Sequence, residues 1–214
     1  MLGDELLIKE EHTDRAREIC DILDENYNNF DKLVVTVAGE SGSGKSEVAS
    51  EIARLRTDRG RKTGVLQQDD YFVFPPKTNH EMRRKNIDQV GLYEVKLDFL
   101  DSNLRSFKRG RSTVYKPLVD YDEDNIGTEV KEVGDLQTLV AEGTYTSTLK
   151  FADCRVFIDR DYHQTYENRV ERGRDKFEPF VEDVLEREHK IISNHRRRAD
   201  VIITTDYSKV ELLV

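Results

Sequence analysis

Apolar residues recur along this chain in two rhythms. Near the N-terminus Ala16, Ile19, Ile22 and Leu23 are spaced at helical intervals in "TDRAREICDILDENY", which predicts an amphipathic helix capped by Thr13 or Asp14. From residue 33 the rhythm changes. "KLVVTVAG" is a continuous β-branched run of the kind that fills a parallel strand buried on both faces. "SEVASEIARLRTDRG" returns to helical spacing through Val48, Ile52 and Leu55, with Gly60 placed to end the helix. "TGVLQQ" reads as a second strand, and the two prolines of "DDYFVFPPKTNH" predict an irregular loop after it. Val95, Leu100, Leu104 and Phe107 mark a further helix that stops at Gly110. "STVYKPLVDYDEDNIGTEVKEVG" mixes strand formers with a turn at "DEDNIG", which predicts strands or a hairpin projecting from the main sheet. "QTLVAEG" and "CRVFIDRD" read as buried strands, "YHQTYENRVERG" and "VEDVLEREHKIISNHRRRA" as helices, and "DVIITT" as the strand that closes the sheet.

Strand and helix therefore alternate, which predicts an α/β fold: a parallel β-sheet sandwiched between helices. No linker divides the 214 residues, so the expected organisation is an accessory helical segment over 1–30 and a single domain over 31–214.

Composition narrows the partners. A net charge of -9 and a pI of about 5.2 weigh against a nucleic-acid backbone or an anionic membrane. Two basic runs, "RVERGRDK" and "HRRRAD", sit beside carboxylates and read equally well as solvated helix faces. Cys20 and Cys154 form no paired motif, so they are expected to be packing residues. The chain begins "MLGDELLIKEEH", with no basic-then-apolar leader and no long apolar run, so the expected location is cytoplasmic. His12, His80, His163, His189 and His195 lack ligand spacing and read as surface residues.

The chemistry is concentrated in "GESGSGKS", directly after the first strand. Gly39, Gly44, Lys45 and Ser46 satisfy GxxxxGK[ST], the phosphate-binding loop, and Ser41, Gly42 and Ser43 fill it. Glycines let the backbone curl until successive N–H groups point at one anion, and the following helix adds its positive end. Lys45 offers a mobile charge to the outer phosphates, and the Ser46 hydroxyl a ligand for magnesium. No guanine-reading NKxD occurs, which disfavours an ordinary GTPase. Asp69 and Asp70 open the loop beyond the second strand, at the sheet edge where ligands gather; either suits a base for an attacking hydroxyl, with the start of a turn as the lesser alternative. Glu142 ends another strand, where it suits a magnesium ligand or a cap for the next helix.

"GESGSGKS", "QQDDYF", "LVAEG", "NRVERGRD" and "ADVII", in that order, resemble the landmarks of the uridine kinase and phosphoribulokinase family, nicotinamide riboside kinases included, over about residues 33–204. The resemblance implies a P-loop NTPase fold with a small lid at about 170–180, ATP as donor, Mg2+ as cofactor and a small-molecule hydroxyl acceptor. It implies that Asp69 is the base and a metal-side carboxylate, that Tyr71 or Phe72 lines the acceptor pocket, and that Glu142 serves magnesium or hydroxyl binding. Arg169, Arg172 and Arg174 become the lid arginines, suited by a planar fork that binds phosphate bidentately. Where uridine kinases carry a set like "YDFVTHSR" this chain has "VYKPLVDYDEDN", so Tyr115, Lys116, Asp120 and Tyr121 occupy the acceptor region without the base-reading pattern. Uridine or cytidine leads by resemblance, with nicotinamide riboside, pantothenate and sugars or polyols open. An ATP-binding regulatory protein without an acceptor and a hydrolysing ATPase are the rival readings. Dimers are frequent in the family, which leaves room for a homo-oligomer.

Overall fold

The computed structural model describes Leu2, residues 6–173 and residues 178–213. Its elements follow in the order α1 (Glu10–Asn26), β1 (Leu33–Gly39), α2 (Lys45–Asp58), β2 (Thr63–Gln67), α3 (Pro76–Lys85), α4 (Leu97–Lys108), β3 (Thr113–Asp120) and β4 (Asn125–Glu132). β5 (Thr138–Glu142), β6 (Cys154–Ile158), α5 (Tyr166–Arg172), α6 (Pro179–Ile192), β7 (Val201–Ile203) and β8 (Val210–Leu212) complete it.

The main sheet runs β2-β5-β1-β6-β7-β8, with every neighbouring pair parallel except β7 and β8. Because the side chains of a strand alternate between faces, the apolar runs feed two cores at once. Val35, Val37, Val140, Val156 and Ile158 pack against α1 and α2 through Ile19, Leu23, Val48 and Ile52. Val34, Leu139, Ala141, Phe157 and Ile202 pack against Leu100, Leu104 and Phe107 of α4 and Ile192 of α6. α1 is thus buried in the same core as α2, with Ala16, Ile19, Cys20 and Leu23 inaccessible.

Two expectations are corrected. "DVIITT" does not close the sheet: β8 pairs antiparallel with β7 and supplies the edge. The segment with two prolines is not irregular throughout. Pro75 is extended and Pro76 opens α3, because a first-turn residue needs no amide donor and proline's φ already suits a helix.

β3 and β4 form a separate antiparallel hairpin. A buried carboxylate fastens it to the sheet. Asp70 accepts the Val119 amide at 3.0 Å and pairs at 2.7 Å with Lys116, which also reaches Glu129 at 3.0 Å.

Register puts the chemistry on one edge. Gln67, Glu142 and Val37 are level across β2, β5 and β1, and Gly39 is level with Ile158. The phosphate-binding loop, the turn carrying Asp69 and the end of β5 therefore emerge together at the carboxyl edge of the sheet.

Candidate active site

Gly42 and Gly44 adopt φ of +74° and +92°, which a side chain would strain. A Cβ on Gly42 would also lie 2.6 Å from the Arg169 stem, and one on Gly44 would lie 3.0 Å from His12 Nε2. The loop is braced from outside: the Thr165 hydroxyl donates to the Ser41 carbonyl at 2.7 Å and the Asn168 amide to the Gly42 carbonyl at 3.1 Å. Within it, Lys45 Nζ donates to the Glu40 carbonyl at 2.8 Å.

A cleft of about 270 Å³ opens beside the loop. Ser41, Gly42, Lys45, Ser46 and Arg169 form one wall, Asp69 and Glu142 the floor, and Phe72, Phe74, Asn79, Arg83, Tyr121 and Thr144 the other wall. It continues into a wider space of about 560 Å³ between α3 and α6, which Glu188, Val184 and Leu185 also line.

The floor is electrostatically tense. Burial pushes the Glu142 carboxyl up to about 7, and the charge of Asp69 adds to the shift, against the pull of Lys45 and a hydrogen bond from Ser46. Two carboxylates and a hydroxyl thus face one space, with Lys45 beside them. On the far wall Arg83 binds both Glu94 and, at 2.9 Å, Glu188, and Glu94 also accepts from Asn79 at 2.9 Å. Burial raises the Glu188 carboxyl as well, opposed by Arg83.

The cleft collects Ser41, Gly42, Lys45, Ser46, Asp69, Tyr121, Glu142 and Arg169 from the residues that the sequence singles out. Asp70 turns away to hold the hairpin, which leaves Asp69 as the carboxylate facing the cleft. Tyr71 is not in the cleft wall: it is fully buried and its hydroxyl accepts from Asn103 at 2.8 Å, while its neighbour Phe72 takes the wall position. Tyr115 is 65% exposed on the hairpin, and Lys116 is locked in its ion pairs, so neither lines the cleft. Tyr71 and Phe72 exchange roles because successive residues of this turn point in different directions. Gly39 and Ser43 shape the loop; a Cβ on Gly39 would meet the Ser43 hydroxyl oxygen at 2.8 Å. Arg174 lies outside the described residues, as does the side chain of Arg172.

The histidines correct the surface reading. His12 is buried edge-on to Tyr207 beneath the loop, and His195 is buried near Tyr145, with its pKa lowered to about 4 by burial and by Arg198 and Arg197. His189 binds Glu40, and only His163 is exposed. His12 stands four residues before Ala16 on the apolar stripe of α1, a signal that inspection for ligand spacing passes over. Glu188 carries the same signal, a charge four residues after Val184 on the apolar face of α6. Phe74, Asn79, Arg83 and Thr144 had no such mark.

Among the described residues no helix is long and apolar enough to cross a membrane.

Comparison with known proteins agrees with this arrangement. A curated bifunctional alpha-galactosidase/sucrose kinase of Mediterraneibacter gnavus is 26% identical over 212 residues, covering 92% of this chain but 22% of that protein's length. A uridine kinase of Leuconostoc citreum is 27% identical over 184 residues, covering 80% of this chain and 86% of its own. Among solved structures, a possible uridine kinase from Bacillus stearothermophilus superposes with a TM-score of 0.61 at 21% identity, covering 88% and 97% of the two chains. D-glycerate 3-kinase from Cryptococcus neoformans superposes with a TM-score of 0.62 at 13% identity, covering 96% and 100%. These structural neighbours share the P-loop kinase fold. The model of the Phosphoribulokinase / Uridine kinase family matches residues 34–205, from within the loop-bearing strand to just past β7, and the chain belongs to that family.

Proposed function

We propose that the protein moves the γ-phosphate of ATP to a hydroxyl of a neutral, polyhydroxylated small molecule, with a nucleoside such as uridine or cytidine as the first choice. One observation carries the reading: charge is divided across the cleft. Lys45, Arg169 and the loop amides make the donor wall cationic. On the acceptor wall the one arginine is already held between Glu94 and Glu188. An anionic acceptor would meet Asp69 and Glu188, and among the described lining residues the lysine available to it is Lys77, at the exposed margin with its ammonium on the Asp122 carbonyl. A neutral ring instead finds carboxylates to accept from its hydroxyls, Asn79 and Tyr121 for further hydrogen bonds, and Phe72 and Phe74 for its apolar face.

Ser46, Glu142 and Asp69 fit magnesium, a hard cation that takes one or two carboxylates and completes its shell with water and phosphate. The raised carboxyl of Glu142 supports the same fit, since a cation there would relieve its repulsion from Asp69. When bound, magnesium offsets the charge on the phosphate oxygens. Lys45 leaves the Glu40 carbonyl for the outer phosphates, and the loop amides hold the β-phosphate. Asp69 orients the acceptor hydroxyl and takes its proton as the oxygen bonds to the γ-phosphorus; the bond to the β–γ bridging oxygen breaks and ADP leaves.

A free sugar as acceptor is the second reading, favoured by the sucrose kinase relative, which matches 92% of the chain where the uridine kinase matches 80%. Both readings meet one test: ADP release measured with magnesium and ATP across nucleosides, nicotinamide riboside, pantothenate, sucrose, monosaccharides and D-glycerate, with Lys45→Ala as the blank. ADP formed only with a neutral polyol is the expected result. ADP released without regard to acceptor, or with D-glycerate alone, overturns the reading.

A further inference from the structure

The loop motif requires nothing of the residue after its first glycine. Here that residue is Glu40, and its side chain is buried. One carboxylate oxygen lies 2.6 Å from His189 Nδ1, and the other accepts the Tyr162 amide at 2.7 Å. Its backbone carbonyl is the acceptor that holds Lys45. Burying a carboxylate in a phosphate-binding loop is costly: burial raises the Glu40 carboxyl, and the loop exists to attract anions. With both of its oxygens engaged, the side chain ties the loop to α6 and to the turn at Tyr162.

The second half of the observation lies one residue earlier on α6. Glu188 points into the acceptor wall and pairs with Arg83, while His189 points into the loop and pairs with Glu40. Adjacent residues on a helix diverge by about 100°, so one helix reaches both sides of the cleft without bending. An acceptor that settles against Arg83 and Glu188 fixes α6. Through His189 the same helix fixes Glu40, and with it the carbonyl that Lys45 must leave when a triphosphate arrives.

Given the kinase reading, we infer that Glu40 and His189 are positioning residues that couple the two substrates, so that a bound acceptor makes the loop bind nucleotide more tightly. Both act through the loop backbone, and neither is assigned to the reacting atoms. A purely structural clamp would lower stability and affinity alike, whether or not an acceptor is present. A coupling pair alters the difference between the two conditions.

The test is calorimetric binding of the magnesium complex of a non-hydrolysable ATP analogue, with and without uridine or sucrose, whichever the wild-type protein phosphorylates. It compares the wild type with Glu40→Gln, His189→Ala and the double variant. Glu40→Gln keeps an acceptor for the Tyr162 amide, so the fold has a conservative control. In the wild type the acceptor should tighten analogue binding by roughly 5- to 150-fold, the usual span of coupling between sites. Either single variant should bring that ratio close to one while leaving the affinity for acceptor alone unchanged, and the double variant should lose no more than each single one. Undiminished tightening in both single variants, additive losses in the double variant, or no tightening in a wild type that phosphorylates its acceptor overturns the inference alone. A wild type that phosphorylates no acceptor overturns the kinase reading and the inference with it.

Discussion

The two walls of the cleft meet at Asp69 yet are built in opposite ways. Apart from Arg169, the donor wall comes from one consecutive run, from the end of β1 to the first turn of α2, shaped by backbone dihedrals and braced by Thr165 and Asn168. The acceptor wall is assembled from Phe72, Phe74, Asn79, Arg83, Tyr121, Thr144 and Glu188, contributed by a loop, α3, the hairpin turn, the end of β5 and α6. A phosphate is the same anion whatever it is attached to, so one compact loop serves every donor. An acceptor differs from enzyme to enzyme, and side chains drawn from several elements can change one at a time.

That contrast predicts effects of different kinds. Lys45→Ala should strike the donor wall hardest, lowering turnover by about a thousandfold or more with any acceptor, as loss of a pre-placed charge-stabilising group does; rates with two unrelated acceptors should fall by the same factor. Asp69→Asn should lower turnover by roughly 10²- to 10⁴-fold, the range for a lost general base, with nucleotide affinity by calorimetry nearly unchanged. Normal turnover in that variant would remove Asp69 from the chemistry.

Glu142 tests the shared floor. Its carboxyl is pushed above its unfolded value of 4.5 to about 7, so the folded protein binds a proton the unfolded chain releases. Stability from this group is full below the unfolded pKa, falls as pH rises towards 7, and is flat beyond. Metal-free Glu142→Gln should therefore be more stable than the wild type at pH 8, by up to about 3 kcal/mol, with the gap closing below pH 4.5 in urea denaturation. In the wild type, magnesium should bind more tightly at pH 8 than at pH 6, since it competes with that proton. The smallest effect belongs to one acceptor residue. Asn79→Ala should raise the acceptor KM by about tenfold, the worth of roughly one hydrogen bond, and leave the ATP KM unaltered.

The same contrast decides what was legible in the sequence. A loop made of consecutive residues leaves a contiguous motif, and the buried strands around it leave unbroken apolar runs, so Gly42, Lys45 and the β1–α2 unit could be read directly. Asp69 could be placed at the right edge, but Asp70 needed the structure, because only packing shows that one carboxylate faces the cleft and its neighbour faces Lys116. Tyr71 and Phe72 are a similar case. β8 has three residues, Val210–Leu212, too short a pattern to announce an edge strand. Asn79 and Arg83 were hidden because a polar residue on a short helix looks like solvated surface until the opposite wall is known.

The placing of β1 has one consequence for how the protein is made. Its neighbours are β5 and β6, so the central strand lies between partners that the ribosome supplies only at residues 138–142 and 154–158. Leu33–Gly39 is therefore an apolar segment with neither partner available until about a hundred further residues have been made, and pairings of such sequence separation form slowly. The nascent chain must carry this apolar strand unpaired until β5 emerges. Protection by a chaperone, or by early packing of α1 and α2 against that strand, is thus a requirement of the strand order and not of the chemistry the loop performs.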